Sequence, residues 1–178
     1  MAGLDDLRHL VAGALGALAE EVWVENGAVL VYVTVGKNRE ALVALRDNRN
    51  TRCDVMSFLT AVDYTPREPR FEVVYELYST VLKHRVRVKC RLADTGGEDL
   101  PEIDSVSDIY LTANWHEREC YDLMGIGFTG HPDLRRIVLP DRWDGHPLRK
   151  EYPFDGKRVW KVGTTVIDGA VMEGDIGL

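Results

Sequence analysis

Residues 71–78 read FEVVYELY and residues 84–92 read HRVRVKCRL, and the alternation in these two runs decides the fold. In the second run Lys83, Arg85, Arg87, Lys89 and Arg91 fall on one face and Val86, Val88, Cys90 and Leu92 on the other. That is the two-residue period of a strand with one buried side. Pairing the runs as a hairpin puts Phe71, Val73, Tyr75 and Leu77 on the apolar face and sets Glu72 and Glu76 beside the basic row. Cross-strand ion pairs there stabilise by roughly 0.2–1 kcal/mol each. Charge rows are usually solvated, so a solvated sheet face is preferred to a phosphate groove.

Working outward, residues 22–24 and 29–35 are valine-rich and flank Asn26-Gly27, a dipeptide that takes the positive φ values of a tight hairpin turn. Leu4, Leu7, Leu10, Val11, Ala14, Leu15 and Leu18 recur at helical spacing, which predicts a helix over 4–20. A second helix over 38–48 buries Ala41, Leu42 and Leu45, and residues 55–62 form a third strand. Residues 94–108 hold six acids and no base around Gly96-Gly97 and read as loop. A third helix is expected over 108–124 on the stripe Ile109, Ala113, His116, Cys120, Leu123 and Met124, with Ser107 as N-cap and Gly125 as C-cap. The order is α-β-β-α-β-β-β-α: an α+β, two-layer domain with helices on one face of a mixed, mostly antiparallel sheet. It occupies residues 1–128, and 129–178 form an irregular arm and tail. Residues 131–153 hold four of the chain's seven prolines and cannot be regular. They also carry too many apolar side chains for a solvated linker, so the arm lies over its own domain or over a partner. Residues 159–178 read as a short extended piece with Gly-rich ends.

The chain has 178 residues and a net charge of −7. That suits one folded domain plus an arm and works against non-specific adhesion to nucleic acid or anionic lipid. Cys53, Cys90 and Cys120 match neither a paired secreted framework nor a CxxC metal motif. The apolar run 10–19 is about half of the ~20 residues that cross a bilayer. Residues 1–8 resemble neither a signal peptide nor a transit peptide.

Chemistry-bearing candidates are few. His116 and Cys120 stand four apart, a spacing at which two side chains share a metal; the same wheel puts both on the buried stripe, and a packed histidine is preferred. His131 and His146 both sit in Gly-His-Pro, followed by Arg135-Arg136 and Arg149-Lys150. They could serve as acid and base, yet no serine or carboxylate stands at a recognisable catalytic spacing, and structural hydrogen bonding is preferred. Phosphate-loop, dinucleotide and HExxH devices are missing. Glu117 and Glu119 lie at the margins of the helical stripe, while Arg118 and Asp122 face away from it beside Leu111 and Trp115. Arg118 and Asp122 are either an exposed i,i+4 pair or a partly buried pair that fixes how the arm or a partner docks; the tryptophan favours the second.

Residues 117–153, ERECYDLMGIGFTGHPDLRRIVLPDRWDGHPLRKEYP, closely resemble the signature region of the C-type, thirty-kilodalton subunit of proton-translocating NADH:quinone oxidoreductase, respiratory complex I. The resemblance rests on ERE-x-x-D, GHPDLRR and GHPLRK in that order and spans about residues 50–153. It implies an α+β subunit in the hydrophilic arm with no redox centre of its own, the FMN, iron–sulfur clusters and quinone lying in partner chains. It implies packing against the D-type (forty-nine-kilodalton) and B-type chains of the same complex, peripheral to the cytoplasmic side of a bacterial membrane. It assigns Glu117, Arg118, Glu119, Asp122, His131, Arg135, Arg136, His146, Arg149 and Lys150 to assembly and interface, not catalysis. Related subunits serve membrane-bound hydrogenases and ferredoxin-linked photosynthetic complexes; Gly145-His146-Pro147 follows the respiratory form, where the photosynthetic motif reads GWPLRK. A free-standing hydrolase using His131 or His146 is the reading from another class.

Overall fold

The computed structural model describes residues 3–96, 99–153, 160–162 and 165–167. Helix α1 (Leu4–Leu15) buries Leu7, Val11 and Leu15 and ends where Gly16 takes φ 52°. The helix is therefore shorter than the apolar periodicity predicts: Gly16–Leu18 makes one 3-10 turn and strand β1 (Ala19–Glu25) begins inside the expected helix. Asn26 and Gly27, at φ 50° and 77°, turn the chain into β2 (Ala28–Val33), the hairpin that the dipeptide announces. Helix α2 (Asn38–Asp47) buries Ala41, Leu42 and Leu45, and β3 (Val55–Asp63), β4 (Phe71–Tyr78) and β5 (Arg85–Leu92) follow. After β6 (Glu102–Asp104) come α3 (Ala113–Met124), β7 (Gly127–Thr129) and a small hairpin of β8 (Trp160–Val162) and β9 (Thr165–Ile167). The rest of the expected extended tail lies outside the described residues.

The five long strands form one sheet in the order β1-β2-β5-β4-β3. Every neighbour is antiparallel except β2 and β5. The α2 crossover carries the chain to the far edge, and the β3-β4-β5 meander returns it to β2. The register Phe71↔Leu92, Val73↔Cys90, Tyr75↔Val88 and Leu77↔Val86 is the one the alternation predicts. These side chains join residues of all three helices in one core, where burying a large apolar side chain stabilises by roughly 1.5–3 kcal/mol.

Three further expectations are corrected. The charged sheet face is not simply solvated: Glu72 and Glu76 are 3% and 5% exposed, because Lys89 (2.8 Å) and Arg87 (2.8 Å) fold over the shorter carboxylates. Helix α3 starts five residues late. Its expected cap, Ser107, has its hydroxyl against that of Ser105 (2.9 Å), while the Ile109 and Tyr110 N–H groups turn back to the Val106 carbonyl. Tyr110 is drawn further by its hydroxyl, which donates to the Cys53 carbonyl (2.7 Å). The loop at 94–108 is also less irregular than its composition suggests, since Glu102–Asp104 pairs in parallel with β7. Among the described residues no helix is long and apolar enough to cross a membrane.

Candidate functional site

Helix α3 runs beneath the arm, and its two outward charges hold it. Asp122 is fully buried. Its Oδ2 accepts the N–H groups of Ile137 (3.0 Å), Val138 (2.8 Å) and Leu139 (2.8 Å), and its Oδ1 accepts Arg136 Nη1 (2.7 Å). Burial alone would raise its carboxyl; the three N–H donors and the guanidinium outweigh burial and hold it below the ordinary range. One turn earlier Arg118 donates from Nε to the Arg135 carbonyl (3.1 Å) and from Nη2 to the Arg136 carbonyl (3.1 Å), with its guanidinium carbon 5.4 Å from the centre of the Trp115 ring. Among the described residues the polar contacts of Arg118 and Asp122 run to the arm, not to each other. Both charges are buried and both hold the arm, but the expected i,i+4 pair does not form: each engages the arm separately.

The C-terminus of α3 is closed by the second Gly-His-Pro motif. A helix leaves its last carbonyls without partners and negative in sign. Gly125, in the left-handed region at φ 65°, turns the chain away. His146 Nδ1 then donates to the Asp122 carbonyl (2.9 Å), Leu148 N to that of Leu123 (3.0 Å), and Arg149 to those of Met124 and Gly125 (both 2.8 Å). Packing is so close that a Cβ on Gly125 would lie 2.4 Å from His146 Cδ2. Burial lowers the pKa values of both His146 and Arg149. Arg136 Nη2 also reaches the Gly145 carbonyl (3.3 Å).

A second anchor lies at the end of β3, and sequence reasoning missed it. The Lys150 N–H donates to Asp63 Oδ2 (2.9 Å), and the Lys150 ammonium reaches the Thr65 carbonyl (3.3 Å). Arg70 grips Asp63 through two bonds (2.9 and 3.1 Å), Asp94 (2.7 Å) and Glu151. Burial pushes the Asp63 carboxyl up, but the Arg70, Lys150 and Thr65 donors prevail and leave it well below the usual carboxylate range. The signal in the sequence was weak: an acid at one strand end and an arginine at the start of the next.

Glu117 belongs to the inside of the domain. It is fully buried, where it accepts the Ser105 hydroxyl (2.6 Å) and the Val106 N–H (2.7 Å). Burial pushes its carboxyl up to about 7, against the pull of those donors. His131 packs 3.9 Å from it, with Nε2 facing the Asn114 carbonyl (3.1 Å) and Nδ1 accepting the Asp133 N–H (3.0 Å). Those partners suit a ring that donates from Nε2 and accepts at Nδ1. Glu119 and Arg135 point to solvent, Arg135 beside Asp133 (2.9 Å). His116 is only half-buried, near Glu119 (3.9 Å), which corrects its place on the core stripe; Glu117 occupies that position. Burial raises the thiols of Cys53 and Cys90 to about 12 and that of Cys120 further, which makes all three poor nucleophiles.

Of the motif residues, Arg118, Asp122, Arg136, His146 and Arg149 converge on the seam between α3 and the arm, where most of their donors and acceptors face backbone groups, whereas Glu117, Glu119, Arg135 and Lys150 lie elsewhere. Around that seam Leu111, Trp115, Val138 and Leu148 are exposed. Residues 31–158 match the family described as respiratory-chain NADH dehydrogenase, 30 Kd subunit. The C subunit of NADH-quinone oxidoreductase from Rhodopseudomonas palustris (strain TIE-1) is 42% identical over 154 residues, covering 86% of this chain and 73% of that protein. Its counterpart from Geotalea uraniireducens (strain Rf4) is 50% identical over 126 residues, covering 70% and 74%. A chain in the structure of the membrane-bound sulfane sulfur reductase, an archaeal respiratory membrane complex, superposes with a TM-score of 0.70 at 25% identity, over 84% of this chain and 87% of that one. The family match covers well over half of the chain and the relatives exceed 40% identity across most of their length, so the chain belongs to the 30-kDa subunit family of respiratory-chain NADH dehydrogenase.

Proposed function

We propose that this chain is a non-redox subunit of the peripheral arm of a proton-translocating NADH:quinone oxidoreductase. It assembles with the D-type (forty-nine-kilodalton) and B-type chains, peripheral to the cytoplasmic side of a bacterial membrane. FMN, the iron–sulfur clusters and quinone belong to partner chains, and this chain supplies shape and interface. The observation that carries this reading is the direction of the motif's chemistry: Asp122, Arg118, His146 and Arg149 bind backbone groups of the arm or of the helix end. Such a clamp shapes a surface. The apolar groups that rim it, Leu111 and Trp115 on α3 with Val138 and Leu148 on the arm, are exposed and suit a neighbouring subunit.

The second reading, the equivalent subunit of a hydrogenase or ferredoxin-linked complex, draws on the fold shared with the archaeal sulfane sulfur reductase complex. The respiratory reading is favoured by the 42% and 50% identities to NADH-quinone oxidoreductase chains, against 25% for that structure. The test is affinity purification of the tagged chain from gently solubilised membranes, with mass spectrometry and an NADH:quinone assay on the eluate. Recovery of the forty-nine-kilodalton type, flavin and iron–sulfur chains with NADH oxidation supports the proposal. Recovery of a nickel-containing chain without NADH oxidation moves it to the hydrogenase branch, and recovery of the lone chain overturns both.

A further inference from the structure

The sheet face opposite the helices carries a basic row whose middle is neutralised by carboxylates and whose ends have no ion-pair partner among the described residues. Arg87 pairs with Glu76 and Lys89 with Glu72. Arg85 and Arg91, at the two ends of β5, have no carboxylate partner among the described residues. Each lies instead on an aromatic ring: Arg85 over Tyr78 (5.0 Å) and Arg91 over Tyr32 (3.5 Å). Arg67 repeats the arrangement over Tyr64 (5.2 Å), also without a carboxylate partner among the described residues.

Arg67 and Arg91 line one surface pocket of about 300 Å³ with Tyr32, Tyr64, Glu68 and Glu72. The pocket floor is already satisfied. The Glu72 carboxylate takes the Tyr32 hydroxyl (2.7 Å), the Tyr64 hydroxyl (3.4 Å) and the Lys89 ammonium (2.8 Å). The Tyr32 ring is held from its other neighbour by Trp23, stacked at 5.0 Å. What remains to meet a ligand is the Arg67 guanidinium and that of Arg91, which shares the Tyr32 hydroxyl and lies in the field of Glu20 and Glu72, against the exposed carboxylate of Glu68. A guanidinium set over a ring still has N–H donors to offer, and its fork matches a carboxylate. Arg91 follows Arg85 by six positions along β5, about 20 Å at 3.3 Å per residue.

We propose that this face docks an extended acidic segment of a partner protein. Carboxylates at one end of the segment enter the Arg67–Arg91 pocket, and carboxylates about 20 Å away meet Arg85. The surface is distinct from the α3–arm seam and lies on the opposite side of the sheet from the helices. It is also local: the chain as a whole carries −7, so an acidic peptide that binds must find this patch against the general field.

The test is fluorescence polarisation of the full-length chain with a labelled seven-residue peptide carrying a glutamate pair at each end of a Ser/Thr centre. The control peptide has glutamines in their place. Binding is expected for the glutamate peptide at low salt, at least tenfold tighter than for the glutamine peptide and weakening as salt rises. The Arg67→Gln/Arg91→Gln variant loses at least tenfold, Arg91→Lys gives an intermediate loss because the fork is gone, and Lys37→Gln, on the exposed turn before α2, changes nothing. An unchanged melting curve confirms that the exposed substitutions leave the fold intact. Equal binding of the two peptides, or full binding by the double variant, overturns the proposal. Displacement by low-millimolar inorganic phosphate overturns it too, in favour of a small-oxyanion site. None of these outcomes bears on the co-purification test above, so the two proposals fail separately.

Discussion

Replacing Asp122 with asparagine tests the clamp at its centre, because the change is nearly isosteric and removes only the charge and one acceptor. The wild-type carboxylate serves three N–H donors through Oδ2 and the Arg136 guanidinium through Oδ1. Hydrogen bonds to a charged group contribute about 1.5–3 kcal/mol each, but four that share one carboxylate are not additive. Breaking a buried ion pair by removing one partner costs about 3–5 kcal/mol. Asparagine keeps one carbonyl oxygen for the N–H groups and turns its amide toward Arg136, so the lower end, about 3 kcal/mol, is the expectation. The alanine variant falls near the upper end. The arm can escape the penalty by lifting off, since water then satisfies its N–H groups, and the loss should appear as local opening. At 1.4 kcal/mol per tenfold, amides 137–139 should exchange about a hundred times faster. Hydrogen exchange read by mass spectrometry on peptides covering 134–140 measures this directly, with β4 and β5 as reference. The wild-type carboxyl is held below its ordinary pKa. Its contribution is therefore present above the unfolded value of about 3.9 and lost as pH falls through the folded one, a release that the asparagine variant should not show. Unchanged protection at 137–139 would refute the clamp. Equal loss through β4 and β5 would mean that Asp122 supports the domain and not the arm.

Three further perturbations probe the neighbouring contacts. Gly125→Ala combines a left-handed backbone, about 1–2 kcal/mol, with overlap against His146, about 1–3 kcal/mol. Gly130→Ala, at φ 82° with nothing within 4 Å of its added Cβ, should show the backbone part alone; equal losses for the two in urea titrations would remove the argument that His146 seats on the helix end. Glu117→Gln isolates a carboxyl raised by burial to about 7. The contribution of the protonated acid is complete below the unfolded pKa of about 4.5 and disappears as pH climbs through about 7, so the stability of wild type relative to the variant should fall by about 3 kcal/mol over that window at 1.36 kcal/mol per unit. Arg39, Asp108 and His131 face the same carboxyl and are common to both proteins; parallel stability curves would show that Glu117 does not titrate there. Arg70→Met strands the buried Asp63 carboxylate and should cost about 3–5 kcal/mol, with Glu151 and the Lys150 backbone released; a variant as stable as wild type would show that the Lys150 and Thr65 donors suffice.

What could be read from the sequence follows from which interactions leave a periodic trace. The β4–β5 register was legible because period two recurs on both strands with opposite charges on one face, and the β1–β2 turn because Asn26 and Gly27 tolerate positive φ. The start of β1 was not, since the apolar spacing of α1 continues past Gly16 and only backbone conformation ends the helix. The start of α3 was misplaced for a different reason: Ser107 has the right chemistry for a cap, but the Ser105 hydroxyl, itself donating to Glu117 twelve residues on, already engages it. Glu117 was set at a margin of the stripe because a sequence wheel treats glutamate as polar, whereas two donors from the preceding loop let it occupy a core position.

The seam itself shows why the motif could be found but not decoded. The arm between 131 and 152 has neither helix nor strand, so its N–H and C=O groups have no ladder of their own, and buried backbone groups must still be paired. Helix α3 meets the converse problem at its C-terminus, where the last carbonyls lack partners. The two deficits are complementary. Asp122 supplies acceptors for the N–H groups of 137–139, and Arg118 supplies donors for the carbonyls of 135 and 136. In return His146, Leu148 and Arg149 of the arm supply donors for the carbonyls of 122–125. Backbone partners carry no residue identity, so the sequence displays one half of each contact, a set of charged side chains that look like chemistry in search of a substrate. Their substrate is the main chain, and the product of the pairing is a fixed surface.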